Sequence, residues 1–183
     1  MRKLLFAFGL TSALVFALAA HAAAPNFAGT WTLDKSKSQG LSQRVQNAES
    51  VSWVITQTDK EITVDEKIQG GGGPGAGGSG GGGGQGGRGG MMGPQGPRSY
   101  NLDGSETTGE GGRGKFARKA TLSSDGKTLE LVNKNMFTNQ DGNEVTITST
   151  DKLTLSADGK VLTVARHSES PRGAQDSTMV FNK

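Results

Sequence analysis

The chain has 183 residues, no cysteine, 30 glycines and a formal charge of +3. Arg2 and Lys3 supply two of those charges within an N-terminal leader, leaving +1 on the rest with both signs interspersed, which gives no electrostatic footing for nucleic acid or an anionic membrane. Without cysteine there is no disulfide framework, so stability has to come from burying apolar surface, which one domain of this length can do.

The leader comes first. Arg2 and Lys3 precede an uncharged apolar stretch over residues 4–20, and Ala20-His21-Ala22 then offers small residues at the two positions a signal peptidase reads. Residues 1–22 are predicted to be a signal peptide cleaved near Ala22 or Ala24, with periplasm or medium as the destination. The stretch is short for a membrane span, and Gly9, Thr11 and Ser12 interrupt it, so no stable insertion is expected after cleavage. Residues 23–183 form the expected domain.

Its first strand starts at once. Phe27, Gly29, Trp31 and Leu33 share one face by the two-residue period. Residues 36–48 are the one candidate for a short helix. Val51, Trp53 and Ile55 alternate as the first strand does, and Ile62 with Val64 follow a turn around Thr58-Asp59-Lys60. Residues 70–97 are a different material: 18 of these 28 are glycine, and so much backbone entropy with so little to bury predicts a disordered loop inserted in the domain. No Lys-Ser or Lys-Thr closes the run as a phosphate-cradling loop would require, and the single Arg88-Gly89-Gly90 unit is too little for an RNA-binding tail. A spacer is the expected role.

Alternation resumes at Leu129 with Leu131, Val145 with Ile147, Leu153 with Leu155, Leu162 with Val164, and Met179 with Phe181. Asp-Gly turn signals stand at Asp103-Gly104, Asp125-Gly126, Asp141-Gly142 and Asp158-Gly159, and the pair suits positive-φ turns whose twist matches paired strands. The segment 121–129 recurs at 154–162 (Thr-Leu-Ser-x-Asp-Gly-Lys-x-Leu), one hairpin type used twice. The fold expected is all-β: a single antiparallel up-and-down barrel of about eight strands, with a two-sheet sandwich as the alternative.

Chemistry is thin. His167 is the only histidine beyond the leader, which cannot build a multi-ligand metal site, and no strained nucleophile turn accompanies it. It is expected to be a surface strand residue. Asp59, Glu61, Asp65 and Glu66 cluster around one hairpin and are expected to be solvated, as turn carboxylates ordinarily are. No enzyme, cofactor or metal is expected.

The opening 27–33 resembles the first strand of the calycins, the lipocalins and fatty-acid-binding proteins, which carries Gly-x-Trp. The resemblance extends to uncharacterised exported bacterial proteins with a lipocalin-like domain. In those, Gly-Thr-Trp precedes Lys-Ser, as in Lys35-Ser36-Lys37-Ser38, and an Asp-Gly-Lys hairpin leads to an Arg-His strand, as over residues 158–167. The resemblance implies that Gly29 and Trp31 form the structural motif at the closed end. It also implies that Arg166 lies over the Trp31 ring as a cation–π packing feature. Small barrels are either filled by side chains or hold one ligand. Trp31 is expected to fill the core, while Trp53, Ile55, Val64 and Leu131 are the candidates for lining a site for a small apolar ligand. The alternative is a non-enzymatic envelope protein that meets another protein or a polysaccharide through its surface or Gly-rich loop.

Overall fold

A computed structural model describes residues 25–70, 96–111, 114–139 and 141–183. The expected signal peptide lies outside the described residues, as does the Gly-rich insertion apart from Gly70, Gly96 and Pro97.

Among the described residues, ten strands make one antiparallel sheet: β1 (Gly29–Leu33), β2 (Ala48–Gln57), β3 (Glu61–Gly70), β4 (Arg98–Asn101), β5 (Thr107–Gly111), β6 (Gly114–Leu122), β7 (Thr128–Thr138), β8 (Glu144–Leu155), β9 (Val161–Ser170) and β10 (Gly173–Asn182). Their order is β4-β3-β2-β1-β10-β9-β8-β7-β6-β5. The sheet curls until β4 packs against β5 and β6, so it is a barrel nearly closed, with a seam where no hydrogen-bonded ladder joins β4 to β5. The all-β barrel is therefore observed and the two-sheet sandwich is not.

The count of about eight strands needs correction to ten. Val145/Ile147 and Leu153/Leu155 belong to one strand, β8, whose inward positions between them are the polar Ser149 and Asp151. β4, β5 and β6 have no matching apolar alternation, because Arg98, Thr107, Gly109 and Arg118 occupy inward positions there. The Asp103-Gly104 turn joins β4 to β5, which do not pair, so it is not a hairpin.

The other Asp-Gly turns do connect paired strands. In the repeated hairpin, the Gly126 N–H donates to Ser123 O, and the Gly159 N–H to Ser156 O, each at 2.9 Å. The Ser123 and Ser156 hydroxyls donate to Asp125 and Asp158, which also accept from the N–H groups of Lys127 and Lys160. Those hydroxyl bonds come first in holding both carboxyls below their ordinary value. Only the glycines take positive φ, 69° at Gly126 and 68° at Gly159, so the two-residue type I′ turn is not formed.

Residues 36–48 are not one helix. A 3-10 turn (Lys35–Lys37) and a short α1 (Gln43–Asn47) flank a bridge from Gln39 to Thr178. The Asp34 side chain caps the first, and its carboxyl is pulled well below the carboxylate range, first by the Ser36 hydroxyl and then by Lys37. Leu41 and Val45 pack on the core from this segment.

The core fills the closed half of the barrel. Phe27, Trp31, Ile62, Leu153, Leu162, Val164 and Phe181 are 0–1% exposed there. The Trp31 indole N–H donates to Phe27 O at 2.8 Å, which fixes the ring beside Phe27. That orientation corrects the expected cation–π pair: Lys183 Nζ lies 5.2 Å from the Trp31 ring centroid, while the Arg166 guanidinium lies 5.4 Å from that of Trp53. Trp31 and Trp53 face each other across β1 and β2. Arg166 pairs with Ser177, two residues before Met179 and four before Phe181 on β10, and so misses Trp31. Gly29, at φ 145°, keeps its place beside this end; a Cβ there would come within 2.8 Å of the Lys183 side chain.

Candidate functional site

Trp53, Ile55, Val64 and Leu131, the candidates for lining a ligand site, come together in the core at 0%, 2%, 1% and 1% exposure. All four belong to the buried hydrophobic core cluster. What lies above them is polar, and the strand period put it there.

Four strands carry a polar residue two positions beyond a core residue, hence on the same inward face: Val64 is followed by Glu66, Leu131 by Asn133, Val164 by Arg166, and Leu153 is preceded by Asp151. β4 adds Arg98 and β6 adds Arg118. Asp151 and Asn133 are each 3% exposed and Arg98 is 8% exposed. Glu66 corrects the expectation of a solvated turn carboxylate: it points inward and meets Arg98 Nη2 at 3.3 Å.

This belt spans the lumen. Arg166 donates from Nε and Nη2 to the two oxygens of Asp151, at 2.6 and 3.0 Å, a bidentate pair between adjacent strands. Its Nη1 reaches Glu66 on β3 at 4.0 Å, and its guanidinium covers Trp53 on β2. Burial works against the charge on Arg166, but Asp151 outweighs it and raises the guanidinium above its ordinary value. A desolvated, forked pair of this kind is the stronger class of charge-assisted hydrogen bond. The buried Trp53 indole N–H under it has no partner among the described residues.

Arg118 stands apart at the seam. Its Nε donates to Asn133 Oδ1 at 3.1 Å, and its guanidinium lies 4.1 Å from the Phe116 ring centroid. The Phe116 ring has room because Gly109 faces it across the β5–β6 pair; a Cβ at Gly109 would come within 2.6 Å of the ring. Burial, first among the influences, pulls Arg118 below its ordinary value, with Arg98 acting in the same sense. Tyr100 on β4 is 2% exposed, and burial pushes its phenol up.

Beyond the belt burial falls off. Inward-facing Ile68, Phe116, Phe137, Val145 and Ile147 are all partly exposed, unlike their counterparts below the belt. These side chains give a partly exposed apolar face beyond the charged belt, with Asn135 and Ser149 between. Sequence reasoning missed Glu66, Arg98, Arg118, Asn133 and Asp151. The signal that would have found them is a charged or amide side chain at inward parity in an otherwise apolar strand.

His167 sits outside, as expected. It lies on the outer face of β9 with its side chain 45% exposed, and Nδ1 meets Asp176 at 2.7 Å and Nε2 meets Glu169 at 3.4 Å. The Asp176 contact first, then Glu169, raises its pKa. The shallow depression beside it, about 450 Å³, includes Thr150, Lys152 and Thr178 in its lining. Among the described residues, no group of three or more potential ligands could hold a metal ion, and no helix is long and apolar enough to cross a membrane.

No protein-family model matches the chain, and no curated protein matches it. Among solved structures, the zebrafish ileal bile acid-binding protein complexed with cholic acid aligns with a TM-score of 0.45 and 12% identity, over 86% of this chain and 98% of that one. At that score and identity the similarity carries no argument about a ligand.

Proposed function

We propose that this protein is a non-enzymatic carrier that holds a small apolar molecule in the open half of its barrel. The observation that carries the reading is the contrast between the two halves. Below the belt the inward apolar side chains are buried, whereas above it the inward apolar side chains of Ile68, Phe116, Phe137, Val145 and Ile147 stay partly exposed. Barrel mouths of this composition are the usual place for a ligand whose surface is mostly apolar. The charged leader, apolar stretch and small-residue exit support a site of action in the periplasm or outside the cell.

The test uses N-phenyl-1-naphthylamine, an uncharged apolar fluorophore. It should bind the full mature chain saturably with one site per chain, and Ile147→Asn should weaken it at least about fivefold, since a buried amide without a partner costs about 1–3 kcal/mol. A linear, unsaturable fluorescence response, or an unchanged affinity in Ile147→Asn, refutes the reading.

A further inference from the structure

We propose that Asp141 is a site of spontaneous covalent modification, where the Asp141–Gly142 peptide isomerises to isoaspartate while the other Asp-Gly turns are held against the same reaction. This chemistry needs no ligand and is independent of the carrier reading.

The backbone nitrogen of Gly142 bonds to Cγ of Asp141, and the hydroxyl of the protonated carboxyl leaves with the nitrogen's proton as water. One water then opens the succinimide ring at either carbonyl. Opening one way returns aspartate; opening the other leaves the main chain running through Cβ and Cγ as isoaspartate. A side chain on the following residue hinders the attack, and glycine has none. Asp-Gly pairs stand at residues 103, 125, 141 and 158, and no Asn-Gly pair occurs.

These pairs differ at the carboxyl. Asp103 accepts from the Ser105 N–H and hydroxyl, at 2.8 and 2.6 Å. Asp125 accepts from the Ser123 hydroxyl and the Lys127 N–H, and Asp158 from the Ser156 hydroxyl and the Lys160 N–H. Ring closure needs a carboxyl that can turn and that carries its proton. Such bonds favour the ionised form, and they hold all three below their ordinary value, the serine hydroxyl coming first each time. Among the described residues, no hydrogen bond or ion pair holds the Asp141 carboxyl. In that turn Asn139 Oδ1 accepts instead from the N–H groups of Asp141 and Asn143, at 3.0 and 2.8 Å. Asp141 is exposed, and a Cβ at Gly142 would meet nothing within 4 Å. The attacking nitrogen does not separate the hairpins: Gly142 donates to Asn139 O at 3.1 Å, and Gly126 and Gly159 make the equivalent bond at 2.9 Å. The turn closes the ladder that sets Phe137 opposite Val145, so the change falls at the partly exposed end of the barrel.

The test is to incubate the full mature chain at neutral pH and physiological temperature and to map its peptides by mass spectrometry, with electron-transfer fragmentation to tell isoaspartate from aspartate. Isoaspartate should accumulate at residue 141 at least about threefold faster than at 103, 125 or 158, a factor within the reach of one hydrogen bond. In the chain unfolded by guanidinium chloride the four rates should converge, since the carboxyl contacts are gone. Ser123→Ala should raise the rate at 125, and Ser156→Ala the rate at 158, with 141 unchanged in both. Equal rates at the four positions of the folded chain, a faster rate at any of the other three, or a ranking that persists in guanidinium overturns the assignment. So does the absence of a rise in the two serine variants. Where a serine variant unfolds, the folded and unfolded rates of the unmodified chain decide the matter on their own.

Discussion

Replacing Asp151 with asparagine should be among the most damaging single changes in the molecule. The Asp151 side chain is 5% exposed and accepts two hydrogen bonds from Arg166, at 2.6 and 3.0 Å. Removing one partner of such a buried pair typically costs about 3–5 kcal/mol, because the other charge stays behind uncompensated. Arg166 retains a second carboxylate, Glu66 at 4.0 Å, but shares it with Arg98. The expected loss is therefore at the lower end, about 3 kcal/mol. A domain of this size has about 5–15 kcal/mol of stability in total. With a urea m-value of about 2 kcal/mol per molar, the unfolding midpoint should fall by about 1.5 M. Tryptophan emission is the natural probe, since Trp53 lies under Arg166. The double change Asp151→Leu with Arg166→Met should recover most of the loss, as apolar replacement of a whole buried pair is often neutral or better. A midpoint shift under about 0.5 M for Asp151→Asn, which is about 1 kcal/mol on the same m-value, would refute the idea that this pair is desolvated.

The two tryptophans should differ in what they tolerate. Trp31→Phe strands Phe27 O, whereas the Trp53 N–H has no partner to lose, so Trp31→Phe should cost about 1 kcal/mol more in urea unfolding; equal costs would contradict the bond. His167 predicts a pH dependence. Its folded pKa is raised above 6.5 by Asp176 and Glu169, so its contribution is fully present below that value and is lost as pH rises through the raised one. The Tm gap between the unmodified protein and His167→Gln should accordingly shrink above about pH 6.5, and Asp176→Asn should lower the pKa read by NMR titration. A gap that stays constant with pH would argue against the pairing.

The parts of the fold legible in the sequence are those where inward positions are apolar. Val51/Trp53/Ile55, Ile62/Val64, Leu129/Leu131, Leu162/Val164 and Met179/Phe181 alternate cleanly, and all are buried. The repeat at 121–129 and 154–162 is two copies of one hairpin with matching hydrogen bonds. Legibility stops at the belt. Ser149 and Asp151 interrupt the inward face of β8, so one twelve-residue strand looks like two. Arg118 hides the inward parity of β6, and β4 is only four residues long. The helix expected over 36–48 is broken at Gly40, whose φ is 65° and whose Cβ position would lie 2.3 Å from Asp176 O. Partners were the hardest to foresee. The carboxylate opposite Arg166 is a matter of register between β8 and β9, which composition does not carry.

The pairing of β1 with β10 sets an order on assembly. Leu33 finds Phe181, and Asp34 receives the Asn182 amide, across about 150 intervening positions. Local hairpins such as β8–β9 can zip within a few residues, but the ring acquires its last stave only when both extremities of the sequence are free to meet. Closure of that kind weights the contact map toward distant partners and slows the search for the native state. A newly made copy is thus expected to pair β8 with β9 before β1 meets β10, and Trp31 to lock into place late.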